Sequence, residues 1–121
     1  MFESLKPINP DLVLTHYRHD RHQDHRVLSD LAWNTFRDHF VLEYEIPKFD
    51  GDLGVPNCFV PLPRAVCLRK AKYLDQVFGT QRDKHWFSSE TFVGLMRLRG
   101  MECRSSSGYA EAFYGRKVIL G

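Results

Sequence analysis

The sequence predicts an α/β domain built on a mainly parallel sheet. Short apolar runs rich in branched residues, such as "DLVLTH" (residues 11–16), alternate with stretches of helical period, such as Val27, Leu28, Leu31, Ala32 and Phe36. Prolines gather between these stretches, at Pro7 and Pro10 and again at Pro61 and Pro63, where they mark ends of elements. The length of 121 residues, 43% hydrophobic and 13% aromatic, suffices for one core and leaves little room for a second.

Each element follows from its local pattern. "MFESLK" (1–6) reads as the last turns of a helix, stopped by Pro7, Asn9 and Pro10. "DLVLTH" is then a buried parallel strand, and a helix spans 25–39. In "VLEYEI" (41–46), Leu42, Tyr44 and Ile46 alternate with Val41, Glu43 and Glu45, which gives a strand with one wetter face. "PKFDGDLGVPN" (47–57) is a long turn-rich loop. Asp50 and Asp52 around Gly51 suggest a calcium loop only in part, since the further spaced oxygens and the terminal Glu are missing. Pro61 and Pro63 lead into the helix "RAVCLRKAKYLDQVFG" (64–79), with Val66, Leu68, Tyr73, Leu74, Val77 and Phe78 partly periodic and Gly79 as its stop. "SSETFVGLMRLRG" (88–100) forms another short helix behind a serine, "RSSSG" a loop, and "YAEAFYG" (109–115) and "KVIL" (117–120) closing strand.

Composition excludes several function classes. Seventeen Lys and Arg against fifteen Asp and Glu leave +2, far from the basic balance of a nucleic-acid binder. No stretch approaches the roughly 18 apolar residues of a membrane span, and the first ten residues carry Glu3 and no apolar segment of signal-peptide type. A cytoplasmic protein is the default. Cys58, Cys67 and Cys103 are odd in number and form no C-x-x-C, so neither a disulfide framework nor a thiolate zinc cluster is expected.

The candidate chemistry lies in "THYRHDRHQDHR" (15–26). Four of the six histidines, His16, His19, His22 and His25, recur there at a spacing of three with Asp20 and Asp24 between them. The spacing makes one face only if all four are helical. Here the stripe runs from a strand end through a loop into a helix, which is where ligands bind in open α/β sheets. His22 and His25 form an H-x-x-H pair with Asp24 between. A carboxylate there would fix imidazole tautomer and orientation, although such pairs also arise by chance. His16 and His19 stay outside the metal shell, as a wall residue and a solvated one. Arg82 and Trp86 in "QRDKHWF" suit an anionic or sugar substrate, with a solvated loop as the equal alternative. Glu111 either reaches the site or points to water.

At "HDRHQDHR" the chain resembles the LmbE-like, or PIG-L, zinc-dependent de-N-acetylases. "DLVLTH", the H-x-D-H loop and "RVLSDLAWNTFRDH" look like the second half of that fold, and "EYEIPKFDGDLG", "FGTQRDKHWF" and "GYAEAFY" resemble one bacterial branch. The resemblance implies a Rossmann-like three-layer fold and a hydrolase that releases acetate from an N-acetylglucosamine-type substrate. It implies that His25 is a zinc ligand, and that His22 protonates the leaving amine or steadies the oxyanion while Asp24 holds its ring. Zinc would lower the pKa of its bound water.

The His-Pro-Asp-Asp-Glu type motif, which supplies the family's other ligands and its general base, is absent from the sequence. The expectation is therefore a single partial domain over 1–121, the C-terminal half of such a deacetylase and a fragment lacking the N-terminal strands. Alone it should hold zinc weakly and self-associate as a homo-oligomer through uncovered apolar edges. The alternative is a non-catalytic sugar- or partner-binding module derived from the same fold.

Overall fold

The computed structural model describes residues 2–81, 83–85 and 87–121. In chain order these form α1 (Phe2–Leu5), β1 (Val13–His16), α2 (Gln23–Phe36), β2 (Val41–Tyr44), β3 (Cys58–Pro61), α3 (Arg64–Val77), a 3-10 turn (Gly79–Gln81), α4 (Ser89–Glu102) and β4 (Ala110–Gly115). The protein is mixed α/β, with four strands in the order β1-β2-β4-β3. No described helix is long and apolar enough to cross a membrane. The chain divides into two compact units, one of Met1–Ile46, Asp52–Cys58 and Phe113–Gly121, the other of Pro47–Gly51 and Phe59–Ala112.

In the first unit β1 runs parallel to β2, with Val13 opposite Val41 and His16 opposite Tyr44. β2 and β4 are antiparallel, with Leu42 opposite Gly115. The sheet is therefore mixed rather than mainly parallel. Only β1, α2 and β2 form a strand-helix-strand crossover of the kind that makes neighbours parallel; β4 follows two consecutive helices, to which that rule does not apply.

β1 is also less buried than its apolar run predicted. It stands at one end of the strand order, so Leu14 is 52% exposed and only Thr15 is buried. The histidine after the loop starts α2: His22 has extended backbone and its Nδ1 accepts the amide of Asp24. Ser29, Ala32 and Phe36 form the buried face of α2, while Val27, Leu28 and Leu31 remain exposed.

The wetter face assigned to β2 is overturned. Val41 and Glu43 are both completely buried. A carboxylate tolerates this only when charges and hydrogen bonds replace water, and Glu43 finds them on Arg18, Trp33 and Arg116. "KVIL" forms no strand. Lys117, Val118, Ile119 and Leu120 instead line, with Asp38, His39 and Phe40, a cavity of about 350 Å³.

In the second unit α3 and α4 pack together around Cys67, Phe92 and Met96, with Leu62, Leu74, Phe87, Val93 and Tyr109 against them. The buried positions of α3 are Cys67 and Ala71, whereas Leu68, Tyr73, Val77 and Phe78 are exposed. Small side chains face the neighbouring helix because they let the backbones approach closely. At the end of α4, Gly100 lets the backbone of 108–109 approach closely. A Cβ there would stand 2.1 Å from the carbonyl oxygen of Gly108 and 2.5 Å from Tyr109 Cα. Ser88 caps α4 by accepting the amide of Thr91 at 3.2 Å, as the serine in the sequence indicated. β3 fills a stretch to which the sequence pattern assigns no element, since the four residues "CFVP" stand between the loop of 47–57 and the prolines that lead into α3. Glu111 pairs with Lys70 of α3 and stays partly open to water, its side chain 30% exposed.

Candidate functional site

The histidine loop connects β1 to α2. Its four histidines occupy four different settings: His16 ends β1, His19 lies in the exposed turn, His22 caps α2 and His25 sits in its first turn. The spacing of three is not a helical face, yet three of the rings come together. His25 stacks on His16 at 4.0 Å between centroids and 5° between planes, and on His22 at 4.4 Å and 20°. His19 instead meets Tyr17 edge to face at 5.5 Å. At the far side of the stack His16 Nε2 is 3.3 Å from Tyr44 Oη. Burial, and then the charge of Asp20, raise the Tyr44 phenol's pKa, so it stays protonated.

Asp20 organises this stack, and sequence reasoning passed over it. Its side chain is 1% exposed. One oxygen, Oδ1, accepts the His22 amide at 2.7 Å; the other, Oδ2, is 3.1 Å from His25 Nδ1, in a contact whose angle falls short of a well-formed hydrogen bond. Arg26 ties down the same turn by donating to the Asp20 carbonyl at 2.8 Å. The signal was available: an Asp that bonds the amide two residues on is the usual way a turn precedes a helix, and D-x-H stands at 20–22. Asp52 adds a second clasp, accepting the Arg21 amide at 2.8 Å.

This geometry assigns different capacities to the two histidines. With Asp20 against Nδ1 of His25, the proton belongs on that nitrogen and the Nε2 lone pair is left for a ligand. On His22 the Nδ1 lone pair is used by the amide of Asp24 at 3.2 Å, so the ring's proton is on Nε2. That bond exists only for the neutral ring. His22 is thus arranged to donate a hydrogen bond from Nε2, and an imidazolium would forfeit the helix cap. Asp24 meets the ring through its backbone amide; its carboxylate is exposed at the start of α2.

Near-parallel rings also bear on metal binding. Imidazole lone pairs lie in the ring plane, so His22 and His25 at 20° direct theirs side by side. Tetrahedral zinc needs ligand directions that converge from wide angles, and a catalytic centre takes three protein ligands and an open position. No group of three His, Cys, Asp or Glu side chains among the described residues is placed to hold an ion. Among the described residues the loop offers one oriented imidazole, that of His25.

Beside the loop, Glu43 gathers Arg18 and Arg116. Burial acts to raise its carboxyl pKa, but hydrogen bonds from Arg116, the Arg18 amide and the Trp33 indole outweigh it and hold the group below its ordinary value. Tyr17 and Tyr114 stack at 4.4 Å, and Gly54 runs so close to them that a Cβ would stand 2.5 Å from Tyr114 Oη and 2.9 Å from Tyr17 Oη. Arg82 and Trp86, the expected substrate contacts, lie outside the described residues. No protein-family model matches the chain, and no curated protein matches it.

Proposed function

We propose that the loop from His16 to His25 is part of the site of a zinc-dependent hydrolase that removes acetyl from an N-acetylglucosamine-type substrate, with the Rossmann-like arrangement of the LmbE-like enzymes. The observation that carries this reading is the buried Asp20 carboxylate on His25 Nδ1, the arrangement by which proteins hold a ligating imidazole. His25 is the metal ligand of this proposal. His22, through its Nε2–H, steadies the amide oxygen as it gains negative charge, and Asp24 keeps the ring in the required tautomer through its amide. The remaining ligands and the general base come from a segment bearing the His-Pro-Asp-Asp-Glu type motif.

Zinc binding by equilibrium dialysis, beside acetate release, tests the assignment. The chain as it stands should bind zinc weakly, lose that binding in His25→Ala and keep it in His22→Ala, and release no acetate. Joined to a segment with the missing motif, it should deacetylate, and His22→Ala should then lower turnover by roughly 10²- to 10³-fold with zinc retained. Zinc binding indifferent to His25→Ala refutes the reading. A non-catalytic sugar- or partner-binding module is the second reading, favoured by the single oriented ligand. It predicts binding of N-acetylglucosamine compounds without acetate release even from the joined chain.

A further inference from the structure

We propose that Arg18 and Arg116 form a binding site for the carboxylate or phosphate group of a small molecule, with Glu43 as the internal anion that holds them ready. The proposal does not depend on the deacetylase reading.

Glu43 is saturated. Its Oε1 accepts the Arg18 amide at 2.9 Å and Arg116 Nη2 at 3.0 Å, and its Oε2 accepts Arg18 Nε at 3.1 Å, Trp33 Nε1 at 2.8 Å and Arg116 Nε at 3.3 Å. Five donors on one carboxylate exceed the roughly four lone-pair positions it offers. One bidentate arginine would neutralise the charge. Two leave one positive charge in excess, next to a carboxylate that can accept nothing more.

The surplus is presented outward. The Arg18 and Arg116 side chains are 37% and 27% exposed although the carboxylate between them is fully covered. Both Nη atoms of Arg18, and Nη1 of Arg116, make no hydrogen bond to a described residue. The two guanidinium groups are also fixed in place. Arg18 lies over the Trp33 ring at 5.1 Å, and Arg116 over Tyr114 at 4.9 Å and Tyr17 at 5.6 Å. An arginine already clamped at Nε and stacked on an aromatic face has little rotamer freedom left to lose when its outer nitrogens meet an oxyanion. Two carboxylates of the neighbouring loops are engaged elsewhere, Asp20 with His22 and His25, and Asp52 with the Arg21 amide.

The test is an NMR titration of the folded chain at low ionic strength with inorganic phosphate and with acetate, following arginine Nε–H and the indole N–H signals, with chloride as reference. Saturable shifts at Arg18, Arg116 and Trp33 are expected. Tighter saturation by phosphate identifies a phosphoryl group as the ligand, and tighter saturation by acetate a carboxylate. Arg116→Gln should weaken the response by roughly tenfold or more, the factor for one charge-assisted contact. That variant leaves Glu43 short of partners, so Glu43→Gln/Arg116→Gln, which removes one charge of each sign, serves as the foldable counterpart and should show the same weakening, because the outer nitrogen of Arg116 is gone. Glu43→Gln alone keeps both arginines and raises the local charge, so its response should persist or strengthen. A silent folded wild type, shifts that chloride reproduces, or a double variant that titrates like the wild type each overturn the proposal.

Discussion

Replacing Asp20 by Asn probes the histidine stack with almost no change of shape. The carboxylate accepts the His22 amide at 2.7 Å and lies 3.1 Å from His25 Nδ1. An Asn carbonyl can keep one of them, but its NH2 must then face the other, and at 1% exposure water cannot intervene. The charge is lost from both contacts, and the NH2 finds an acceptor only if His25 moves its proton off Nδ1, which together cost about 1.5–3 kcal/mol. For a chain of this size that corresponds to a fall in Tm of roughly 5–12 °C. Urea unfolding gives the free-energy change, and long-range ¹H–¹⁵N spectra give the tautomers. The proton of His25 should leave Nδ1, while His22 keeps its proton on Nε2 because the Asp24 amide is untouched. A loss below about 0.5 kcal/mol, the range of ordinary surface substitutions, with an unaltered His25 tautomer would show that Asp20 does not organise the stack.

Three other outcomes follow from the packing. The Glu43 carboxyl is held below its ordinary value, so between its folded and unfolded pKa the unfolded chain binds the extra proton and stability rises with pH. Its contribution is complete above the ordinary value of 4.5 and fades as pH falls through the lower folded one, and acid titrations of unfolding should show Glu43→Gln lacking this component of the loss. Gly100→Ala drives a Cβ into backbone at 2.1 Å and should destabilise by about 3 kcal/mol or more; Gly54→Ala meets tyrosine hydroxyls at 2.5 and 2.9 Å and should cost about 1–3 kcal/mol, both read from denaturant midpoints. Burial raises the Cys67 thiol's pKa, with Glu111 adding to it and Lys70 and Arg64 opposing, so iodoacetamide should label Cys58 and Cys103 in the native protein and reach Cys67 only on unfolding.

How much the sequence disclosed depended on how local the determining contacts are. The helix after the histidine loop and the serine that opens α4 rest on neighbours in sequence, and both were legible; the parallel pairing of β1 with β2, which rests on a single crossover, was legible only as a parallel strand with no partner named. Glu43 was not, because an acid alternating with Leu42 and Tyr44 reads as a solvent face until Arg18, 25 residues before it, and Arg116, 73 after it, are known to converge there. β3 hid behind its prolines, and the antiparallel entry of β4 cannot be seen from an alternation of elements. The histidines were found by their number, but the three-ring stack was not. Stacking depends on His22 being an extended cap residue and on Asp20 turning the chain beneath it.

The same carboxylate sets a timetable for folding. Arg18 and Trp33 come to Glu43 across chain separations of 25 and 10 residues, within the local unit of β1, α2 and β2, whose short loops cost less entropy to close. Arg116 must close a loop of 73 residues, so its two bonds form only once the last strand has found its place beside β2. Until then the acid is only partly supplied with partners and stays where water can reach it. Docking of the C-terminal strand is therefore the event that makes Glu43 fit to bury, and its detachment is the event that lets water back to it.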